Sequence, residues 1–120
     1  MIYQMVNGKI ERCMGVWNNT ETDIVITRTG VNGNDDGECD RESVELCKHW
    51  LRWNAKSQIT INKRHSSYSL KHAVEKENNT YITNGEFIQA ALELGYKMSY
   101  DGGLNADFNM KFGVVYLMGY

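Results

Sequence analysis

Two consecutive helices in the C-terminal half are bounded by start and stop signals of their own, and these constrain the fold more than any other feature. A serine at 66 or 67 is placed to cap the first helix, and Asn78-Asn79 is placed to stop it. Thr83 and Glu86 have the spacing of a capping box at the start of the second helix, and Gly95 follows its end. The sequence therefore predicts two separately bounded helices joined by a short polar segment.

The faces of these two helices follow from their apolar spacing. In the first, residues 67–77, the apolar side chains are expected to point inward, and Lys71, Glu75 and Lys76 outward. In the second, residues 84–94, the polar side chains expected at the surface are Glu86, Gln89 and Glu93. A third helix is predicted upstream, from about Arg41 to Asn54, with Asp40 as its N-cap.

Strands are predicted on both sides of the helices. Asn7-Gly8 between apolar flanks is the strongest short signal of a two-residue hairpin turn. β-branched or alternating apolar residues predict further strands at Ile24 to Thr27, around Ile59 and Ile61, at 96–100, at 108–112 and at Val114 to Met118. Residues 29–40 are predicted to form a polar, glycine-rich loop. This order predicts an α+β fold in a single domain, 1–120, with an antiparallel sheet and about three helices on one face.

Charge is segregated along the chain. The net charge is −2, which predicts no attraction of the whole molecule to nucleic acid, yet residues 48–76 hold seven lysines and arginines against one acid. We predict that cations of this basic block, with its histidines and one tyrosine, form a binding patch; the alternative is that they only face water. The predicted patch consists of Lys48, Arg52, Lys63, Arg64, His65, Tyr68, Lys71 and His72.

An acidic segment precedes the first predicted helix. Asp35, Asp36 and Glu38 form a second candidate binding site, which would suit a basic partner surface. The alternative is a solvated loop whose acids favour the N-terminus of the following helix. The run Asn32-x-Asn34-x-Asp36-Gly37 imitates the start of a calcium loop, but its twelfth position is Ser43 where a bidentate Glu is required. Calcium is therefore not expected.

The sequence carries no catalytic or metal signature. It contains no P-loop, dinucleotide fingerprint, nucleophile elbow or zinc-ligand spacing, and His65, His72 and Glu75 alone do not make a zinc site. Three cysteines without paired spacing indicate reduced thiols in a cytoplasm, and no window is long and apolar enough for a membrane span. We expect no metal, no cofactor and no membrane contact, and we favour a protein that is not an enzyme.

A motif of polar and aromatic residues extends through the C-terminal half. It reads Ser67-Tyr68-x-Leu70-Lys71-His72-x-x-Glu75, then Tyr81-Ile82-x-Asn84-Gly85-x-Phe87-Ile88-x-Ala90-Ala91-x-x-x-Gly95-Tyr96, then Asn105-Ala106-x-Phe108-Asn109. It resembles the motif of a group of short uncharacterised proteins from phages and mobile elements, with Ser69 where that group has glycine. The resemblance implies a mobile-element origin and a cytoplasmic setting in a host cell, and no activity; it does not extend to residues 1–56. It also suggests that Tyr68, Lys71, His72 and Asn84 meet in space.

Three functions stay open at the level of sequence. We favour a non-enzymatic inhibitor that binds a host protein or ribonucleoprotein machine, a counter-defence protein of which the anti-CRISPR proteins are one form. The first alternative is a nucleic-acid-binding regulator, in which the C-terminal helices and strands form a winged helix and the basic block contacts phosphates. The second is a sponge that holds a nucleotide or other small ligand at Lys63, Arg64, Lys71 and His72. A homo-oligomer is compatible with the aromatic strands near the C-terminus.

Overall fold

The computed structural model describes residues 1–13, 19–33 and 37–113, and for residues 19–21 it describes the backbone alone. The chain order of its elements is β1 (Ile2–Val6), β2 (Lys9–Cys13), β3 (Asn19–Glu21), β4 (Ile26–Thr27), β5 (Gly30–Val31), α1 (Arg41–Asn54), β6 (Ala55–Asn62), α2 (Ser67–Asn78), α3 (Asn84–Glu93), β7 (Met98–Ser99) and β8 (Asp107–Phe112). The predicted strand Val114 to Met118 lies outside the described residues.

The helices begin at the side-chain caps that the sequence predicts. Asp40 accepts the backbone N–H of Ser43 at 3.0 Å, and Ser66 accepts that of Ser69 at 3.4 Å. Thr83 begins α3 as one half of a complete capping box. Each cap satisfies a backbone donor that has no partner within its helix, so these three helix starts are specified by local sequence.

A six-stranded antiparallel sheet forms one layer of the molecule. The strand order is β3-β2-β1-β7-β8-β6, and β4 and β5 form a separate two-stranded hairpin. Positive φ angles of 51° and 81° at Asn7 and Gly8 produce the predicted hairpin turn between β1 and β2. Met98 lies opposite Phe108, so the two predicted aromatic strands pair with each other. The three helices pack together on one face of this sheet, and the predicted α+β fold is confirmed.

Helix α3 is the centre of the core. It contacts α1, α2, β1 and the β4–β5 hairpin, and all of its residues except Gln89 and Glu93 are buried. Its first turn lies so close to the hairpin that a Cβ on Gly85 would be 1.6 Å from the carbonyl oxygen of Thr27. The Gly85 N–H donates to the carbonyl of Arg28 at 2.9 Å. Only glycine permits this approach, and it brings the β4–β5 hairpin against the start of α3.

Two polar side chains that were expected at the surface are buried. Glu86 is 2% exposed, because it accepts the backbone N–H groups of Thr83 and Asp40 at 2.9 and 2.7 Å. Lys71 is 6% exposed, since its ammonium lies between two tyrosine rings and is paired with Glu75. The sequence assigned both residues to exposed stripes because helical spacing does not reveal contacts from other elements.

Ile59 is more exposed to solvent than the sequence predicts. It was expected to be half-buried in a strand, but its side chain is fully exposed. The pairing of β6 with β8 shifts register between Ser57 and Asn62, so the inward–outward alternation of the strand is broken there. Farther upstream, the predicted strand Ile24 to Thr27 is reduced to β4, and β5 lies inside the predicted loop.

The winged-helix arrangement is not adopted. A recognition helix must present its side chains to the groove of DNA, whereas α3 is enclosed by other elements. The strands expected to form the wing, β7 and β8, lie inside the six-stranded sheet. Among the helices that the structure describes, none is long and apolar enough to cross a membrane.

Candidate functional site: a cleft between two tyrosines

A surface cleft of about 850 Å³ lies where the start of α3, the exposed side of α2 and the turns after β4 and β7 meet. We call it the tyrosine cleft. Its lining residues are Arg28, Thr29, Tyr68, Lys71, Tyr81, Thr83, Asn84, Gly103, Leu104 and Asn105. These residues come from four separate segments of the chain, so the cleft exists only in the folded molecule.

Lys71 lies at the centre of this cleft. Its Nζ atom is 5.2 Å from the centroid of the Tyr68 ring and 5.3 Å from that of the Tyr81 ring. The ammonium donates to Glu75 Oε1 at 2.6 Å. Cation–π contacts of this kind contribute roughly 0.5–2 kcal/mol, and the nearby carboxylate offsets the cost of removing the charge from water. Lys71 therefore fixes the two tyrosines on either side of it.

The rim of the tyrosine cleft is rich in aromatic side chains and exposed. Tyr68 is 50% exposed, Tyr81 67% and Leu104 46%. Arg28 is also exposed and belongs to the lining, and none of the ion pairs recorded for the described residues includes it. Tyrosine and arginine are the residue types most enriched, with tryptophan, where proteins bind other proteins tightly. The rim thus presents two large amphipathic side chains and one cation to solvent.

Asn84 holds the floor of the cleft together. Its side-chain amide donates to the carbonyls of Thr29 and Leu104 at 3.0 and 3.2 Å, and to Asn105 Oδ1 at 3.0 Å. These three acceptors belong to two different loops, so a single amide connects the β4–β5 turn to the segment before β8. Asn84 Oδ1 is buried and has no hydrogen-bond partner within the described part of the chain. Hydrogen bonds therefore connect the floor across two loops, and the floor carries a buried acceptor without a donor among the described residues.

His72 lies beside the cleft and does not line it. Its ring makes an edge-on contact with the ring of Tyr68, with centroids 4.7 Å apart, and its Nδ1 is 3.4 Å from Glu75 Oε1. Of the four residues that the motif suggests should meet, Tyr68, Lys71 and Asn84 share the cleft, and His72 supports Tyr68 from outside. The polar residues of the motif are thus gathered at one place.

The remaining residues of the predicted basic patch are spread over other surfaces. Lys48 donates to Glu93 at 3.0 Å and to Glu45 at 3.4 Å, so its charge is compensated. Arg52 lines cavities at the other end of α1, and Lys63 and Arg64 are exposed between β6 and α2. The expectation of one footprint made of uncompensated cations does not hold for Lys48 and Lys71.

The structure also describes His65 of the predicted basic patch and part of the predicted acidic loop. His65 packs edge-on against Phe112, with ring centroids 6.0 Å apart. Glu38 of the acidic loop is exposed, whereas Asp35 and Asp36 lie outside the described residues, as does Asn34 of the calcium-like run. The acidic loop therefore stays a prediction.

In the described residues, no group of three or more His, Cys, Asp or Glu side chains is close enough to hold a metal ion. No disulfide joins the cysteines within the described residues, and burial raises the pKa of the Cys47 thiol to about 12. A thiol with so high a pKa is protonated near neutral pH and is a poor nucleophile.

Several residues of the tyrosine cleft were not singled out as site residues by the sequence. Tyr81 and Asn105 belong to the motif shared with the phage and mobile-element proteins, and this membership was the signal that could have identified them. Arg28, Thr29 and Leu104 carry no such signal, because they are loop residues far apart in sequence that are brought together by hydrogen bonds from Val31, Asn84 and Gly85. No family model, curated protein or solved structure matches this chain.

Proposed function

We propose that this protein is a non-enzymatic inhibitor that docks a host protein in the tyrosine cleft and blocks the machine to which that protein belongs. The setting is the cytoplasm of a host cell, and the role is counter-defence, of which the anti-CRISPR proteins are one form. The observation that carries the proposal is the pair of exposed tyrosines held on either side of the buried Lys71 ammonium. The resemblance to phage and mobile-element proteins supports the biological setting.

The physical argument begins with the cost of ordering side chains on binding. Tyr68 and Tyr81 are already positioned by their contacts with Lys71, and Tyr68 is also supported by His72. A partner that contacts them loses little side-chain entropy, so more of the contact energy is retained as affinity. Preorganised aromatic side chains around a cleft whose floor is hydrogen-bonded by Asn84 are suited to holding a partner, and inhibition requires no more chemistry than that.

The chemistry of the rim indicates the kind of segment that would enter. Leu104 and the tyrosine rings suit an apolar or aromatic anchor, and Arg28 suits a carboxylate beside that anchor. The Lys71 charge is already paired with Glu75, so Arg28 supplies the available positive charge of the cleft. We therefore expect the docked segment to be a loop of the host protein that carries an acidic residue next to an apolar one.

The test begins with the identification of a host partner and continues with a titration. The full chain, immobilised, is used to capture proteins from a host lysate at low salt, and the captured machine is then assayed for activity against increasing amounts of the chain. Inhibition should be complete at about one chain per target. Tyr68→Ala combined with Tyr81→Ala should weaken binding at least about 30-fold, because the loss of even one central aromatic side chain costs about 2 kcal/mol.

Ile59→Ala is the matched control, since it removes a fully exposed apolar side chain outside the cleft. It should bind and inhibit as the unmodified chain does. If no host protein is retained at low salt, or if the double tyrosine variant inhibits normally, the proposal is wrong. A folded state for each variant is checked by its circular dichroism and urea midpoint.

A further inference from the structure

A second cavity, of about 340 Å³, lies at the corner where α1 ends and β6 begins. Arg52, Trp53 and Lys56 line it from that corner, and Lys111 and Phe112 line it from β8. We call it the lysine corner. Three of these five side chains are cationic, and no carboxylate is among its described lining residues.

The two lysines of this corner lie directly opposite each other on neighbouring strands. Lys56 of β6 and Lys111 of β8 are directly paired in the antiparallel register, and both are exposed. Side chains of directly opposite residues lie on the same face with Cβ atoms roughly 4.5–5.5 Å apart, and like charges there are destabilising. None of the ion pairs recorded for the described residues includes Lys56, Lys111 or Arg52. This repulsion is relieved when an anion lies between the two ammonium groups.

An exposed aromatic side chain lies next to these cations. Trp53 is 76% exposed although it belongs to a helix whose opposite face is part of the core. Among the described residues its ring contacts that of His49, with centroids 6.4 Å apart at a tilted angle. A large exposed indole face beside a cationic groove is the combination with which proteins bind single strands, since the groove follows the phosphates and a base stacks on the ring.

We propose that the lysine corner binds single-stranded nucleic acid, with phosphates at Lys56, Lys111 and Arg52 and one base stacked on Trp53. This site is independent of the tyrosine cleft and of the inhibitor proposed to act through it. A duplex is excluded from this mode, because its bases are already stacked on one another and cannot reach the indole face. The contacts are made to the backbone and to a π face, so binding is nearly independent of base sequence.

The first experiment measures binding of the full chain to a labelled oligothymidylate by fluorescence anisotropy at several salt concentrations. Binding should be present at low salt, and the slope of log affinity against log salt should be about −2, the value for three phosphate contacts on a single strand. A duplex of the same length should bind at least about tenfold more weakly. Inorganic tripolyphosphate should compete only weakly, since it offers no base.

The second experiment uses variants of the lysine corner, one of which should bind more weakly while its folded state becomes more stable. Lys111→Glu replaces a like-charge pair with an opposite-charge pair, so its urea midpoint should rise while its affinity for the oligonucleotide falls at least about tenfold. Trp53→Ala should weaken binding about tenfold or more through loss of stacking, and Trp53→Phe should weaken it less. Loss of binding in a more stable protein cannot be attributed to unfolding.

Lys9→Glu is the matched control. Lys9 is an exposed strand lysine at the start of β2, and the strand order places three strand spacings, on the order of 14 Å, between β2 and β8. Lys9→Glu changes the net charge by the same amount, and it should reduce affinity far less than Lys111→Glu does. The proposal is overturned if no binding occurs at low salt, if both glutamate variants lose affinity equally, or if duplex binds as tightly as single strand.

Discussion

Glu86 illustrates at the scale of one residue how a local signal acquires a second role in the folded chain. Its spacing from Thr83 predicts a capping box, and the structure contains that box in full. Its other carboxylate oxygen accepts the N–H of Asp40, which is the residue that caps α1. One buried carboxylate therefore ties the starts of two helices together.

The Glu86 contacts predict a ranking of stabilities. Glu86→Ala should lower the free energy of unfolding by about 3 kcal/mol, because one buried and one partly buried N–H donor lose their acceptor, and each loss costs roughly 1–3 kcal/mol. Thr83→Ala should cost about 1 kcal/mol, the ordinary value for an N-cap. Urea denaturation of both variants measures the difference. Equal losses would show that the contact with Asp40 contributes nothing to stability.

How far single residues can be predicted depends on where their partners lie. The caps Asp40, Ser66 and Thr83 could be identified, since each of them bonds to a residue three positions away. Lys71 could not, because one of its two tyrosine partners, Tyr81, follows in a different segment. The hydrogen bonds of Asn84 could not be predicted either, since its acceptors are 55, 20 and 21 residues away in sequence.

At the scale of elements, α1 and α3 are held together by a cluster of charges at one end of their contact. Arg41 donates to both carboxylate oxygens of Glu93 and to Glu45, and Lys48 donates to Glu93 as well. These bonds, the strongest being that from Arg41, lower the pKa of Glu93 to about 2. The Glu93 carboxylate therefore keeps its charge, and with it these ion pairs, until the pH approaches that value.

This lowered pKa predicts how stability depends on pH. The Glu93 carboxyl binds a proton less readily in the folded chain than in the unfolded one, so its contribution is complete above about pH 5 and is lost as the pH falls towards 2. Because Arg41 is well exposed and solvent screens the pair, the loss should be on the order of 1 kcal/mol. Urea denaturation at pH 5 and pH 2.5 should therefore show a smaller acid loss in Glu93→Gln than in the unmodified chain.

Glu42→Gln is the appropriate comparison for that measurement. Glu42 is an exposed acid in the first turn of α1 and makes no recorded contact within the Arg41 cluster. Its acid loss should match that of the unmodified chain. An acid loss in Glu93→Gln as large as in the unmodified chain would contradict the assignment of the pH dependence to this cluster.

At the scale of the whole molecule, the burial of α3 determines which part of the chain is most protected. Helix α3 contacts α1, α2, β1 and the β4–β5 hairpin. The hairpin can approach the first turn of α3 because Gly85 has no side chain. The tyrosine cleft lies over that turn, and the lysine corner lies at the far end of α1. The two proposed binding sites are thus built on different parts of one core.

Hydrogen exchange provides the test at this scale. Backbone amides in the interior of α3 should exchange at the rate set by global unfolding, because they cannot be exposed without breaking the core. Amides at the exposed turn of the β1–β2 hairpin should exchange several orders of magnitude faster. Exchange in α3 that is as fast as in this turn would contradict the central position of the helix.

The sequence by itself determined the elements whose signals are local. Capping residues, the Asn7-Gly8 turn and the alternation of apolar side chains specified the helices, a hairpin and the α+β class, because each depends on neighbours within a few positions. Tertiary structure alone decided which charges are compensated, which polar side chains are buried and where the two sites lie. The tyrosine cleft and the lysine corner join residues up to about 77 and 61 positions apart, and no local pattern carries information about contacts over such distances.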